Sequence, residues 1–183
     1  MPHVLVPLAQ GCEELEAVTI IDLLRRAEIQ VTTAGLDSGP VTCSRGTVLL
    51  PDAALEQLMD QDFEMIVLPG GLPGATHLDD DPRIHRLLTR QAEQGRYNAA
   101  ICAAPKVLAN AGLLDGRRAT SYPGTLTGDA FPSVQLLDVP VVVDDKLVTS
   151  RGPGTAMDFA LELIELLAGR DRRVDVEAKL MRP

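Results

Sequence analysis

One cysteine carries the sharpest chemical signal in the chain. Residues 97–105 read Tyr-Asn-Ala-Ala-Ile-Cys-Ala-Ala-Pro. The apolar run Ala99–Ile101 predicts the end of a buried strand. Pro105 suits the first turn of a helix, where its missing N–H costs nothing. Cys102 therefore stands at a strand-to-helix turn, flanked at both two-residue offsets by Ala100 and Ala104. Small residues at those offsets are the steric demand of a nucleophile elbow, written here Ala-x-Cys-x-Ala instead of Gly-x-Ser-x-Gly. A helix N-terminus would lower the thiol pKa. Cys102 is accordingly read as reactive, where an arbitrary cysteine would be read as core packing.

Three further sets of residues bear on that cysteine. Glu16 lies near the start of a helix, bracketed by apolar Leu15, Ala17 and Val18. Turned inward, it would meet Cys102. Burial and a neighbouring thiolate would raise its pKa and the helix dipole would lower it, an opposition the sequence leaves open. The turn Pro69-Gly70-Gly71 matches neither phosphate-loop pattern. The N–H of Gly71, with that of Ala103, would instead face an oxyanion beside Cys102. Of the histidines His3, His77 and His85, only His77 follows the glycine-rich turn, and a surface place suits it better, so a Cys–His pair is disfavoured. No His, Cys and carboxylate spacing fits a metal. The three cysteines are irregularly spaced, so Cys12 and Cys43 are expected to be reduced structural thiols.

The elements that must position these residues follow from pattern. The 183 residues, 45% hydrophobic and 23% charged, suffice for one domain with a sizeable core. Aromatics at 3% offer no base-stacking platform, and a net charge of -9 argues against specific nucleic-acid binding. No apolar run reaches the roughly 18 residues of a membrane span. The N-terminus lacks a signal-peptide pattern, so a cytoplasmic protein without a membrane partner is expected. A strand at His3–Leu8, a helix over Glu13–Ala27 and a strand at Ile29–Ala34 form a βαβ unit with parallel strands. Two short strands are expected in Val41–Leu50, a helix capped by Asp52 over Asp52–Met59, and a strand at Glu64–Leu68. A helix runs from Asp81 and Pro82 to Gly95, followed by the elbow strand and a helix over Ala104–Ala111. A short strand at Arg117–Tyr122, a hairpin of Val139–Val143 with Leu147–Ser150, and a helix over Gly154–Leu167 complete residues 1–169. Residues 170–183 are expected as a last helix or tail on the same domain. Alternating strands and helices predict a doubly wound α/β sandwich. Its sites form at the carboxyl ends of strands, here residues 9–16, 69–74 and 102–105.

Five blocks occur together and in order: Gly11-Cys12-Glu13-Glu14-Leu15-Glu16, Val41-Thr42-Cys43-Ser44-Arg45, Leu68-Pro69-Gly70-Gly71, Ala99 to Pro105, and Thr149-Ser150-Arg151-Gly152-Pro153-Gly154-Thr155. They resemble the ThiJ/PfpI superfamily in its DJ-one branch, most closely the bacterial YajL-like members, over nearly the whole chain. The resemblance implies a flavodoxin-like, mostly parallel sandwich, a homodimer and no cofactor. It implies that Cys102 is the oxidation-sensitive cysteine, Glu16 the protonated glutamate bonded to it, and Gly71 and Ala103 the backbone donors. Gly70, Arg45, Ser150 and Pro153 would lie near the site or the dimer contact. A histidine often holds the family's third position, where this chain has Tyr122. With a reference pKa of about 10, tyrosine is no neutral-pH base, which speaks against a peptidase mechanism. The implied activity is that of a glyoxalase or deglycase, taking small aldehydes or glycated proteins and nucleotides. The alternative is a redox-sensing stress chaperone whose cysteine is oxidised to sulfinic acid.

Overall fold

A computed structural model describes residues 1–183. In chain order the elements are β1 (His3–Leu8), α1 (Glu14–Arg26), β2 (Gln30–Gly35), β3 (Val41–Thr42), β4 (Val48–Leu49), β5 (Ala53–Ala54), β6 (Met65–Leu68), α2 (Leu72–Asp80) and α3 (Pro82–Glu93). They continue as β7 (Tyr97–Ile101), α4 (Pro105–Asn110), β8 (Arg118–Ala119), β9 (Gln135–Leu136), β10 (Val141–Asp144), β11 (Leu147–Ser150), α5 (Ala156–Ala168) and α6 (Arg170–Ala178). Seven strands form one sheet in the order β10-β11-β7-β6-β1-β2-β5. Every pair in it is parallel except β10 with β11. The sheet is the flavodoxin-like, doubly wound sandwich in a single domain that the sequence implied.

The central strands β1 and β6 are nearly all apolar because both faces of the sheet are covered. Strand alternation sends Val4, Val6 and Leu8 of β1 into one core with Ile20, Leu24, Phe159 and Leu163 of α1 and α5. Leu5 points the other way, into a second core with Leu87, Leu88, Val107 and Leu108 of α3 and α4. The chain leaves β1 for β2 on one side, while β6 and β7 pair on the other, so the sheet's switch point lies between β1 and β6. Ligand sites form at such crevices.

Three elements differ from the sequence expectation. Asp52 does not cap a helix: residues 53–54 add an edge strand, and a 3-10 turn follows at Leu55–Leu58. The Asp52 carboxylate instead accepts the N–H and hydroxyl of Thr33 at 2.9 and 2.8 Å. Residues 72–80 are helical although Pro73 and Gly74 look like breakers. Proline is tolerated in a first turn, and Gly74 is needed because a Cβ there would sit 2.6 Å from the Cys12 Cα. Of Arg117–Tyr122, only Arg118–Ala119 is strand, paired with β9 outside the main sheet. The N–H of Thr120 goes to the Thr149 hydroxyl at 2.9 Å, so the ladder stops there. At the C-terminus α6 lies on α5. Val176 is buried in the first core, and Arg173 reaches Glu162 and Glu165 at 3.1 and 2.7 Å. No helix is long and apolar enough to cross a membrane.

Candidate functional site around Cys102

The loops after β1, β6 and β7 converge at the switch point. Cys102 follows β7 with φ +65°, a left-handed backbone that a non-glycine residue adopts only when its surroundings enforce it. Its N–H donates to the Ser150 carbonyl at 3.0 Å, and its carbonyl accepts the Tyr122 N–H at 2.8 Å. Both backbone groups of the residue are thus held by distant segments. The residue is 8% exposed.

Glu16 reaches this point from the first turn of α1. That turn is started by Glu13, whose carboxylate accepts the Glu16 N–H at 2.8 Å. Glu16 is completely buried. Its Oε2 accepts the Gly70 N–H at 2.8 Å, while Oε1 is buried without a hydrogen-bond partner of ordinary geometry. The carboxyl and the Cys102 side chain crowd the same point above Gly70, and each shifts the other's protonation. Gly70 has no room for a side chain: a Cβ would lie 2.6 Å from the Cys102 Cβ and 2.8 Å from Glu16 Oε2. Gly71, at φ +87°, is equally constrained, since a Cβ would lie 2.6 Å from the Gly11 carbonyl oxygen.

Burial pushes the Cys102 thiol up to about 12, and an ionised Glu16 would add to the rise; the N–H groups of Gly71 and Ala103 oppose it. The sequence suggested a lowered value from the helix that follows. That helix, α4, has only six residues, and desolvation outweighs its dipole. Burial likewise lifts Glu16 to about 7, against the Gly70 N–H and the thiol, which favour the anion. The two groups compete for one proton.

The "DJ-1/PfpI family" matches residues 2–166. The chain belongs to the DJ-1/PfpI family. It is 44% identical over 178 residues to protein dj-1beta of Drosophila melanogaster, covering 97% of this chain and 95% of that one. It is 40% identical to DJ-1 homolog A of Arabidopsis thaliana, covering 97% of this chain but 46% of that longer protein. It is 37% identical to the glutathione-independent glyoxalase DJR-1.2 of Caenorhabditis elegans, over 89% and 87% of the two chains. The crystal structure of the Drosophila DJ-1beta superposes with a TM-score of 0.95 at 43% identity, over 100% of this chain and 98% of that one. Oxidized Toxoplasma gondii DJ-1 superposes with a TM-score of 0.92 at 38% identity, over 99% and 98%.

Within this DJ-1/PfpI chain the remaining candidate residues divide in two. Ser150 is adjacent to the site through its carbonyl, and its hydroxyl donates to the Pro140 carbonyl and meets the Thr155 hydroxyl, both at 2.7 Å. Pro153 opens the 3-10 turn just after it. The Tyr122 ring is half exposed and lies over Gly152. Arg45 contributes its backbone N–H, which donates to the Glu14 carboxylate at 2.9 Å, while its side chain is in solvent. The same Glu14 carboxylate accepts the Ser44 hydroxyl at 3.1 Å and so fastens the β3–β4 turn to α1. No histidine joins the site. His77 Nδ1 is 2.8 Å from the Gln10 carbonyl, His85 Nε2 is 2.8 Å from the Asp79 carbonyl, and His3 Nε2 is 2.8 Å from the Thr32 hydroxyl. Beside Ala103 opens a groove of about 470 Å³ whose walls include Leu72, Val107, Tyr122, Pro123 and Lys106. A larger cleft of about 570 Å³, between Leu36, Pro40 and Arg83, contains none of the candidate residues.

Proposed function

We propose that the chain is a cofactor-independent enzyme acting on reactive carbonyls, of the glyoxalase and deglycase type. The observation that carries this reading is the Glu16 carboxyl: fully buried beside the Cys102 thiol, with one oxygen bonded to Gly70 and the other without a hydrogen-bond partner. A buried carboxylate with an orphaned oxygen is costly, whereas a carboxylic acid there has a proton to give. With Glu16 protonated, its charge no longer opposes ionisation of Cys102, and the N–H groups of Gly71 and Ala103 favour the thiolate.

The chemistry follows from that pair. The Cys102 sulfur adds to the aldehyde carbon of methylglyoxal, and the resulting oxyanion takes a proton to give a hemithioacetal. Glu16, as carboxylate, removes the proton on that carbon, the hemithioacetal hydroxyl proton passes to the neighbouring ketone oxygen through the enediol, and Glu16 returns its proton to the adjacent carbon, leaving a thioester of lactate. Water attacks the thioester, lactate departs and the thiol is restored. Methylglyoxal plus water thus gives lactic acid with no redox partner. Backbone donors stabilise the negative oxygen at each addition. The half-apolar groove beside Ala103 has room for the side chain or nucleotide of a glycated adduct. The name of the Caenorhabditis elegans relative, a glutathione-independent glyoxalase, supports the same class of activity.

The test is lactate production from methylglyoxal without glutathione by wild type, Cys102→Ala and Glu16→Gln. Loss in both variants with the fold intact is expected. Wild-type turnover by Cys102→Ala would overturn the reading. A homodimer belongs to the same proposal. Val18 of α1 shares a cleft with Ile21, Leu49 and Leu50, and Val18 and Leu50 are exposed there. Such a contiguous apolar patch suits a second copy. Sedimentation at micromolar concentration should give twice the chain mass.

A second reading has its own support. The donors around the Cys102 sulfur would equally hold the oxygens of a sulfinate, and a structural relative has been crystallised oxidized. A gain of two oxygens confined to Cys102 after mild peroxide is the expected result. Oxidation spread evenly over the three cysteines would count against it.

A further inference from the structure

The mechanism above leaves two cysteines unused, and the fold brings them together. Cys12 lies in the loop between β1 and α1, and Cys43 follows β3, 31 residues later. Their sulfurs are 3.6 Å apart, both thiols are free, and each is buried, Cys12 at 0% and Cys43 at 4% exposure. The contact is not accidental to one pair of rotamers, because the backbones run side by side. The Gly11 N–H donates to the Thr42 carbonyl and the Ser44 N–H to the Cys12 carbonyl, both at 2.8 Å. The two cysteines are therefore held in fixed register.

Their surroundings differ in freedom. Cys12 is hemmed in from behind by α2, where even a Cβ on Gly74 would come within 2.6 Å of its Cα. Cys43 opens the turn of a two-stranded ribbon, and Arg45, Gly46 and Thr47 beside it are exposed. Bringing the sulfurs from 3.6 Å to the roughly 2 Å of a disulfide requires a small shift of the turn that Glu14 holds through Ser44 and Arg45. We propose that Cys12 and Cys43 are a second oxidation site, which a peroxide converts into a disulfide joining the β3–β4 ribbon to the loop that feeds α1. The inference does not rest on the proposed carbonyl chemistry, since neither cysteine takes part in it.

The step balances with one peroxide. The Cys43 thiolate attacks a peroxide oxygen, the O–O bond breaks, and water leaves after protonation, giving the sulfenic acid. The Cys12 thiolate then attacks the Cys43 sulfur, the S–O bond breaks, and the hydroxide leaves as water with the second proton. Two thiols and hydrogen peroxide become one disulfide and two waters. Burial pushes both thiol pKa values up, so the buried pair reacts slowly.

The test is intact-mass and peptide mapping of the native protein after mild hydrogen peroxide, with free thiols blocked under acid before unfolding. Wild type and Cys102→Ala should both show a Cys12–Cys43 cross-linked peptide and a matching loss of two mass units. The single variants Cys12→Ala and Cys43→Ala should show neither, and Cys12→Ser and Cys43→Ser serve if an alanine variant misfolds. Oxidised Cys102→Ala should also unfold at higher urea than its reduced form, a difference abolished by either second substitution. The proposal is overturned if Cys102 is oxidised while Cys12 and Cys43 remain thiols at every peroxide dose, if the cross-link involves Cys102, or if it forms only after the chain is unfolded.

Discussion

The protonation of Glu16 can be read from stability as well as from catalysis. Burial holds this carboxyl at about 7, against 4.5 for an ordinary glutamate. Between those values the folded protein keeps a proton that the unfolded chain has released. A carboxyl raised in this direction contributes its stability in full below about pH 4.5 and loses it as pH climbs through 7. One proton of difference corresponds to about 1.4 kcal/mol per pH unit, and the whole interval to about 3 kcal/mol. Glu16→Gln cannot ionise, keeps the shape of the group, and can still accept the Gly70 N–H. Urea unfolding followed by circular dichroism from about pH 4.5 to 8 should therefore show wild type losing stability relative to Glu16→Gln, with the difference levelling above pH 7. The same proton should appear in the rate, as a fall of kcat/KM above pH 7 in wild type. Parallel stability curves for the two proteins across this range would refute the reasoning, because Glu16 would then be ionised in the folded site.

The other predictions concern the residues that shape the site. Cys102→Gly should unfold at higher urea than Cys102→Ala, by about 1 kcal/mol, because only glycine relieves the left-handed backbone at φ +65°. Gly70→Ala should cut lactate formation by about 100-fold while the far-ultraviolet spectrum stays native, since its Cβ intrudes on both Cys102 and Glu16. Tyr122→Phe should stay within about twofold of wild type in kcat, because the contact Tyr122 makes to Cys102 uses its backbone N–H and leaves the half-exposed ring free.

The sequence made the frame of the molecule legible where local rules govern. The βαβ unit of β1, α1 and β2 follows from apolar runs and helical spacing, and the elbow at Cys102 follows from small residues and Pro105. What it concealed depends on contacts between distant residues. Pro73 and Gly74 read as a turn because nothing local reveals that Gly74 must clear the backbone of Cys12. Asp52 reads as a cap because its true partner, Thr33, is 19 residues away on the neighbouring strand. The burial of Glu16 is set by Gly70, 54 residues on, so the contest between helix dipole and desolvation could be posed from sequence and decided only in three dimensions. Ser150 was named through family resemblance, but that its carbonyl, and not its hydroxyl, meets Cys102 is visible only in the fold.

The two backbone bonds at Cys102 also have a consequence for the order of folding. The strained turn is held by the Ser150 carbonyl on one side and by the Tyr122 N–H on the other. The Ser150 anchor does not exist until the chain has been made through β11. A ribosome-bound fragment ending before residue 150 has the Cys102 thiol but lacks the clamp that forces it into the left-handed turn. In such a fragment only the Tyr122 N–H is left to hold the residue. The left-handed geometry at Cys102 is thus complete only when β11 lies beside β7.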